Sequence, residues 1–461
     1  MKKLLFTAMA LSAVLALSAC SGGGGSSAAS NPSAWTWMSG SNTAAQSGVY
    51  GTKGAASAAN VPGARGYFVS WKDGSGNLWL LGGNGYDSAG TQGDLNDLWK
   101  FDGTDWTWVN GSNTVNQNGV YGTKGIASAS NVPGARNSPA SWKDGAGNLC
   151  IFGGSGYDST GTQGRLNDLW KFDGTTWVWV SGSDTVNQTG VYGTKGVASA
   201  SNVPGARYFY GSATWVDTSG NLWFFGGVGY DSAGTHGNLN DLWKFDGTDW
   251  TWVSGSDTVN QNGVYGTKGI ASASNVPGAR WGSVTWRDGN GNLWLFGGYG
   301  YDSTGAQDDL NDVWKFDGSN WTWVSGSATV AQAGVYGTKG AASASNVPGA
   351  RDSSASWTDT SGNLWLLGGN GYDSAGTNNY LNDLWKFDGA KWTWVSGSDT
   401  VNQAGIYGTK GAASASNVPG ARDYAASWVD NNGNLWLFGG VGHDSTGVTD
   451  RLNDLWRYNL R

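Results

Sequence analysis

The pentapeptide Val-Pro-Gly-Ala-Arg occurs six times, with its arginine at positions 65, 136, 207, 280, 351 and 422. Successive intervals are 71, 71, 73, 71 and 71 residues. Gly-Gly keeps the same period from Gly82-Gly83 to Gly439-Gly440, and Leu-Asn-Asp keeps it from Leu95 to Leu452. A period held this far along a chain marks an array of one supersecondary unit. Each unit contains four short segments rich in aromatic and aliphatic residues and bounded by Gly, Asp and Asn. In the first unit these are Tyr67 to Trp71, Asn77 to Leu81, Leu98 to Phe101 and Trp106 to Val109. The turns Asp73-Gly-Ser-Gly-Asn77 and Asp102-Gly-Thr-Asp105 are short enough for antiparallel hairpins. All 34 acidic residues are Asp, a turn and cap former, with no Glu to favour helix. Helical architecture is thereby disfavoured. Four antiparallel strands repeated radially build a propeller blade, and six such blades are expected.

The motifs then resemble the kelch family: Pro62-Gly-Ala-Arg65, Gly82-Gly83, Tyr86-Asp87, Asp97-Leu-Trp99-Lys-Phe101-Asp102, Trp106 and Trp108. The resemblance covers residues 34–461 and implies an all-β, six-bladed kelch-type β-propeller, with the first strand of each blade lining a central channel. The last unit stops after its third strand, at Trp456 to Arg461. Trp35-Thr-Trp37-Met38 supplies a matching fourth strand at the other end, so this segment is expected to complete the last blade and close the ring.

Of 30 Trp residues, 29 fall at repeating strand positions, which assigns them to blade packing. Cys150 stands in a Trp position of the second unit and reads as a small buried hydrophobe. Asp97 and its equivalents stand where a strand begins and are expected to bond to backbone. Asp73 to Asn77 has the alternating oxygens of a calcium loop but lacks its Gly and distal acid, so a plain hairpin is preferred. Neither metal nor cofactor is expected.

Near-identical units make their differences informative. One variable window is the three residues after each arginine, from Gly66-Tyr-Phe68 to Asp423-Tyr-Ala425. The other lies between Gly-Gly and Leu-Asn-Asp. Blade topology puts both windows, and the long connection between blades, on one face. Loops on a rigid scaffold are where binding residues concentrate. The candidate ligand-binding set is therefore the arginine ring (Arg65, Arg136, Arg207, Arg280, Arg351, Arg422) with its variable neighbours. Those neighbours are Tyr67, Tyr208, Tyr210, Trp281, Asp352, Asp423 and Tyr424. The expected mouth is polarised, aromatic in blades three and four and acidic in blades five and six.

A catalytic assignment has less support. Galactose oxidase resembles this fold, but its copper site needs two His and a Tyr crosslinked to a Cys. Here the only His residues, His236 and His443, lie in distant repeats. Sialic-acid mutarotases are secreted six-bladed kelch propellers whose proposed chemistry uses Glu, and this chain has none. Acid/base work would fall to Asp352 or Asp423. The expected function is a non-catalytic binding propeller for a glycan or protein. A sugar-processing enzyme of the mutarotase type and a structural or adhesive envelope protein are the alternatives. A net charge of −7 with no basic run argues against a nucleic-acid partner.

Residues 1–19 read as a signal peptide: Lys2-Lys3, an apolar run from Leu4 to Leu17, then Leu17-Ser-Ala-Cys20. The last four residues look like the lipobox of bacterial lipoproteins, which implies a lipidated Cys20 as the new N-terminus. Residues 20–33 read as a Gly/Ser-rich tether, and Ser21 after the Cys implies the outer membrane. The expected partner there is the membrane, through the lipid, and the expected location is the envelope, periplasmic or surface-exposed.

Overall fold

A computed structural model describes residues 33–210 and 214–460, and Cys20 with its tether lies outside them. Six antiparallel sheets, one per repeat, form a six-bladed β-propeller. In the first blade, Val69–Lys72 pairs with Leu78–Tyr86, which pairs with Gln92–Phe101, which pairs with Trp106–Asn110. The register sets Trp71 opposite Trp79 and Trp99 opposite Trp108. In the fourth and sixth blades the equivalent cross-strand indoles stack, Trp286 on Trp294 at 5.4 Å and Trp428 on Trp436 at 5.6 Å.

The sixth blade takes its fourth strand from the other end of the chain. Trp35–Ser39 pairs with Thr449–Tyr458, setting Trp37 opposite Trp456. Trp35 is 2% exposed and makes ring contacts with Trp456, Tyr458 and Trp357 of the neighbouring blade. This is the closure that the strand count predicts.

Two details depart from the four-strand plan. A short fifth segment lies outside the fourth strand, as Ala56–Ser57 against Trp106–Asn110 in the first blade. The innermost strand is interrupted: Arg65–Gly66 pairs near the end of Leu78–Tyr86, and pairing resumes only at Val69. Between them Tyr67 takes φ 63°, in the left-handed region. That conformation is costly for a bulky L-residue and turns the chain out of the strand.

The recurrent aspartates have specific tasks. Asp73 Oδ1 accepts from the backbone N–H of Ser75 and Asn77, and Oδ2 accepts from Asn77 Nδ2 and Trp79 Nε1. The carboxylate thus ties its own hairpin and anchors the adjacent indole, as the hairpin reading requires. Asp97 departs from the expected backbone role. It receives Arg65 through two nitrogens at 2.7 and 2.8 Å, the Tyr50 hydroxyl at 2.6 Å and Trp99 Nε1 at 2.7 Å. The same Arg–Asp–Tyr–Trp group recurs in all six blades with every Arg–Asp pair buried.

In the second blade Asp144 keeps its hairpin bonds, but Cys150 offers no indole N–H to its carboxylate. A cavity of about 70 Å³ lies there, lined by Cys150, Asp144, Trp142 and Phe245. Burial pushes the Cys150 thiol up to about 12, far from a thiolate nucleophile at neutral pH.

Candidate functional site at the channel mouth

The face that carries the variable windows surrounds one end of the central channel. The first strands run inward from this face and present a hydroxyl at one level in every blade: Ser70, Ser141, Thr214, Thr285, Ser356 and Ser427. They line a central cavity of about 240 Å³, with Tyr67, Ser138, Ser353 and Tyr424 at its mouth end.

At that end the backbone forms a belt from blade to blade. Ser138 N–H donates to Tyr67 C=O, Phe209 to Ser138, Gly282 to Phe209, Ser353 to Gly282 and Tyr424 to Ser353, at 2.6 to 3.1 Å. Gly282, at φ 70°, and Ser138, Ser353 and Tyr424, at φ 50° to 55°, share the left-handed turn of Tyr67. In the third blade the two-residue insertion moves that conformation to Tyr210, at φ 45°. At the boundary between the sixth and first blades, the rings of Tyr67 and Tyr424 stack at 3.9 Å.

The left-handed tyrosines converge over the channel. Tyr210 lies 5.6 Å from Tyr67 and 5.7 Å from Tyr424, centroid to centroid. Tyr208 meets Tyr210 edge-on at 4.3 Å, Trp281 meets it at 5.0 Å, and Tyr299 stacks on Trp281 at 5.2 Å. The guanidinium of Arg165 sits 4.3 Å over the Tyr208 ring. The result is one aromatic run of six rings from Tyr424 to Tyr299, reaching more blades than the expected third and fourth.

The acids lie beside it. Asp352 and Asp423 are 6% and 4% exposed, and Asp309 is 2% exposed. The Asp309 carboxyl faces that of Asp352 closely enough for each to act on the other's charge. Burial pushes Asp352 up to about 6. Burial and the neighbouring Asp352 hold Asp309 and Asp423 well above the usual carboxylate range. Two like charges facing each other in a desolvated space disfavour double ionisation, so the pair favours holding one proton. Oδ1 of each of the three acids is buried without a hydrogen-bond partner.

The arginine ring needs correcting. Each guanidinium is 0 to 2% exposed and held by its aspartate and two backbone carbonyls, as for Arg65 with Gly63 and Gly82. These six side chains brace the blades and do not line the mouth. The structure brings together the other members of the predicted set: Tyr67, Tyr208, Tyr210, Trp281, Asp352, Asp423 and Tyr424. Asp309 was missed. It lies in the second variable window, and only its position facing Asp352 reveals its importance.

Among the described residues, no group of three or more His, Cys, Asp or Glu could hold a metal ion. His443 bonds to its own turn and to Asn402, and His236 packs against Tyr230, so neither His joins the acids.

The chain course is similar to that of solved structures at low identity. YjhT shares 16% identity over 86% of this chain and 95% of its own, with a TM-score of 0.49. A fungal alcohol oxidase of the AA5 family, solved with copper, shares 13% over 89% and 76%, with a TM-score of 0.45. A protein of unknown function from Dyadobacter fermentans shares 8% over 92% and 98%, with a TM-score of 0.46. No protein-family model and no curated protein sequence matches the chain. The chemistry of the mouth is therefore read from this chain's own residues.

Proposed function

We propose that the protein is a non-catalytic recognition propeller that binds a glycan at this mouth. The observation that carries the reading is the contiguity of a six-ring aromatic run with three buried carboxyls, each with one oxygen that lacks a donor. A sugar ring suits that pairing, with one face on an aromatic side chain and its hydroxyls donating to carboxylates. Titration of the purified propeller against a glycan panel tests this. Trp281→Ala and Asp352→Asn should each weaken binding, and Asp105→Ala, in a short turn of the opposite face, should not. Affinity that follows the opposite-face variant would place the site elsewhere.

A second reading rests on the Asp309–Asp352 pair. A proton held between two carboxyls can be given and taken back, as acid/base work on a sugar requires. Proton exchange measured on free sugars by NMR, abolished by Asp309→Asn, would favour this enzyme over the binder.

We further propose that Cys20 tethers the propeller to the outer membrane through lipid. Among the described residues no helix is long and apolar enough to cross a membrane. Cys20→Ser should move the protein from the membrane fraction to the soluble one. An unmodified Cys20 in the mass spectrum of the mature protein would refute the anchor.

A further inference from the structure

At the first five blade boundaries two positions 43 residues apart in the chain come from neighbouring blades: the residue before Leu-Asn-Asp in one blade and the residue after the arginine in the next. At the first boundary Asn137 Nδ2 donates to Asp94 Oδ1 at 2.9 Å. At the second, Arg165 lies over the Tyr208 ring. At the fifth, Tyr380 faces Asp423. The sixth replaces the pair by Arg451 bonded to Asn84 at 2.7 Å. The third leaves Asn238 Nδ2 without a partner, and the fourth alone sets two acids together, Asp309 and Asp352.

The acids are not neutralised from elsewhere. Asp309 Oδ2 accepts only a neutral amide, Asn378 Nδ2, at 2.8 Å. Asp308, beside Asp309 on the same strand, is bound by the Tyr372 hydroxyl. Arg451 acts on Asp423, but its nearest partners are Asn84 and Asp450. The other titratable groups facing the cluster include the tyrosines Tyr67, Tyr299, Tyr372, Tyr380 and Tyr424. Asp423 adds a carboxyl more than nine-tenths buried whose Oδ1 is orphaned. Buried acceptors left without donors are costly, and they lie next to ring faces that attract cations.

We infer that the mouth selects a cationic ligand, a glycan bearing a free ammonium group, with the ammonium held between Asp352, Asp309 and the tyrosine rings. The inference rests on the glycan reading above and adds the charge of the ligand. An ammonium carries three donors and a full positive charge, so it satisfies orphaned oxygens and removes the reason for the pair to hold a proton. Binding then takes R–NH3+ and the facing Asp309–Asp352 pair, one acid protonated, to an ammonium held by two carboxylates, with one proton released to solvent. A neutral N-acetylated sugar has no such effect, and an anionic sugar is repelled.

Chitosan tetramer and its fully N-acetylated counterpart, titrated calorimetrically at pH 6 in two buffers of different ionisation enthalpy, test the inference. The deacetylated tetramer should bind at least about tenfold more tightly. Its apparent enthalpy should change with the buffer by the amount for about one released proton. Asp352→Asn and, separately, Asp309→Asn should remove both the preference and the proton release; thermal melting checks that each variant is folded. Equal binding of both tetramers, lost in Trp281→Ala, would leave the glycan reading standing and overturn the inference. Binding of neither at millimolar concentration would overturn both.

Discussion

Arg65 and Asp97 meet in a two-pronged ion pair with no solvent on either side chain. Tyr50 and Trp99 donate to the same carboxylate, so three segments of the repeat converge on one acceptor. Such a pair specifies geometry more than it adds net stability, yet removing one partner strands a buried charge. Arg65→Met should destabilise the domain by about 3–5 kcal/mol, and pairing it with Asp97→Leu should recover part of that loss. Urea denaturation of the single and double variants provides the comparison.

Deleting residues 34–38 removes the strand that pairs with Thr449–Tyr458 and uncovers Trp456. We expect aggregation or a marked fall in melting temperature, read by light scattering during a thermal ramp. A deleted chain that melts like the parent would mean that the ring does not depend on this closure.

Cys150→Trp should stabilise the second blade. The cavity beside it gives the indole room, and Nε1 would gain the carboxylate that Trp79 finds in Asp73. A gain of about 1–2 kcal/mol is expected, since cavities of this kind cost that order of energy. A loss would show that the neighbours have collapsed around the smaller residue.

The mouth acids predict how stability changes with pH. Asp352 is raised to about 6, and Asp309 and Asp423 are also held well above the usual carboxylate range, so the folded state binds protons that the unfolded chain has already released. Their contribution is fully present below the unfolded carboxyl pKa and is lost as pH rises through the folded values. The mouth acids' share of stability should therefore fall from about pH 4 toward neutrality, opposite in sign to that of the turn aspartates such as Asp73 and Asp217, which their hydrogen bonds hold below the usual carboxylate range. Asp309→Asn should flatten that slope and raise stability at pH 7 by about 1–3 kcal/mol. Melting curves of both proteins between pH 4 and 8 check the sign. If Asp309→Asn also weakens ligand binding, the site is held at the expense of stability.

The propeller, its blade count and its closure were legible because each repeats or completes a pattern. Trp at 29 fixed positions and a missing fourth strand leave little choice of architecture. The Arg65–Asp97–Tyr50 group was also present in the repeat as three residues recurring together. A period alone does not say which of them touch: strand direction puts each arginine's backbone at the mouth, while its side chain turns back into the blade to meet the aspartate. The acid pair was harder to find. Asp309 and Asp352 come from different blades, and only the stacking of one blade on the next turns their separation into contact. Tyr67 and Tyr424 were expected near the mouth, but their stacking depends on left-handed turns in the two blades that meet where the ring closes.

The belt from Tyr67 to Tyr424 is made of main chain alone. Asn, Tyr, Trp and Asp therefore occupy the adjoining position in different blades without altering the frame that carries them. This divides inheritance into two parts: a rim that must be kept whole and six sockets that can be rewritten singly. A change of ligand need not pass through a misfolded ancestor, because each socket can be recut while the other five continue to hold their shape.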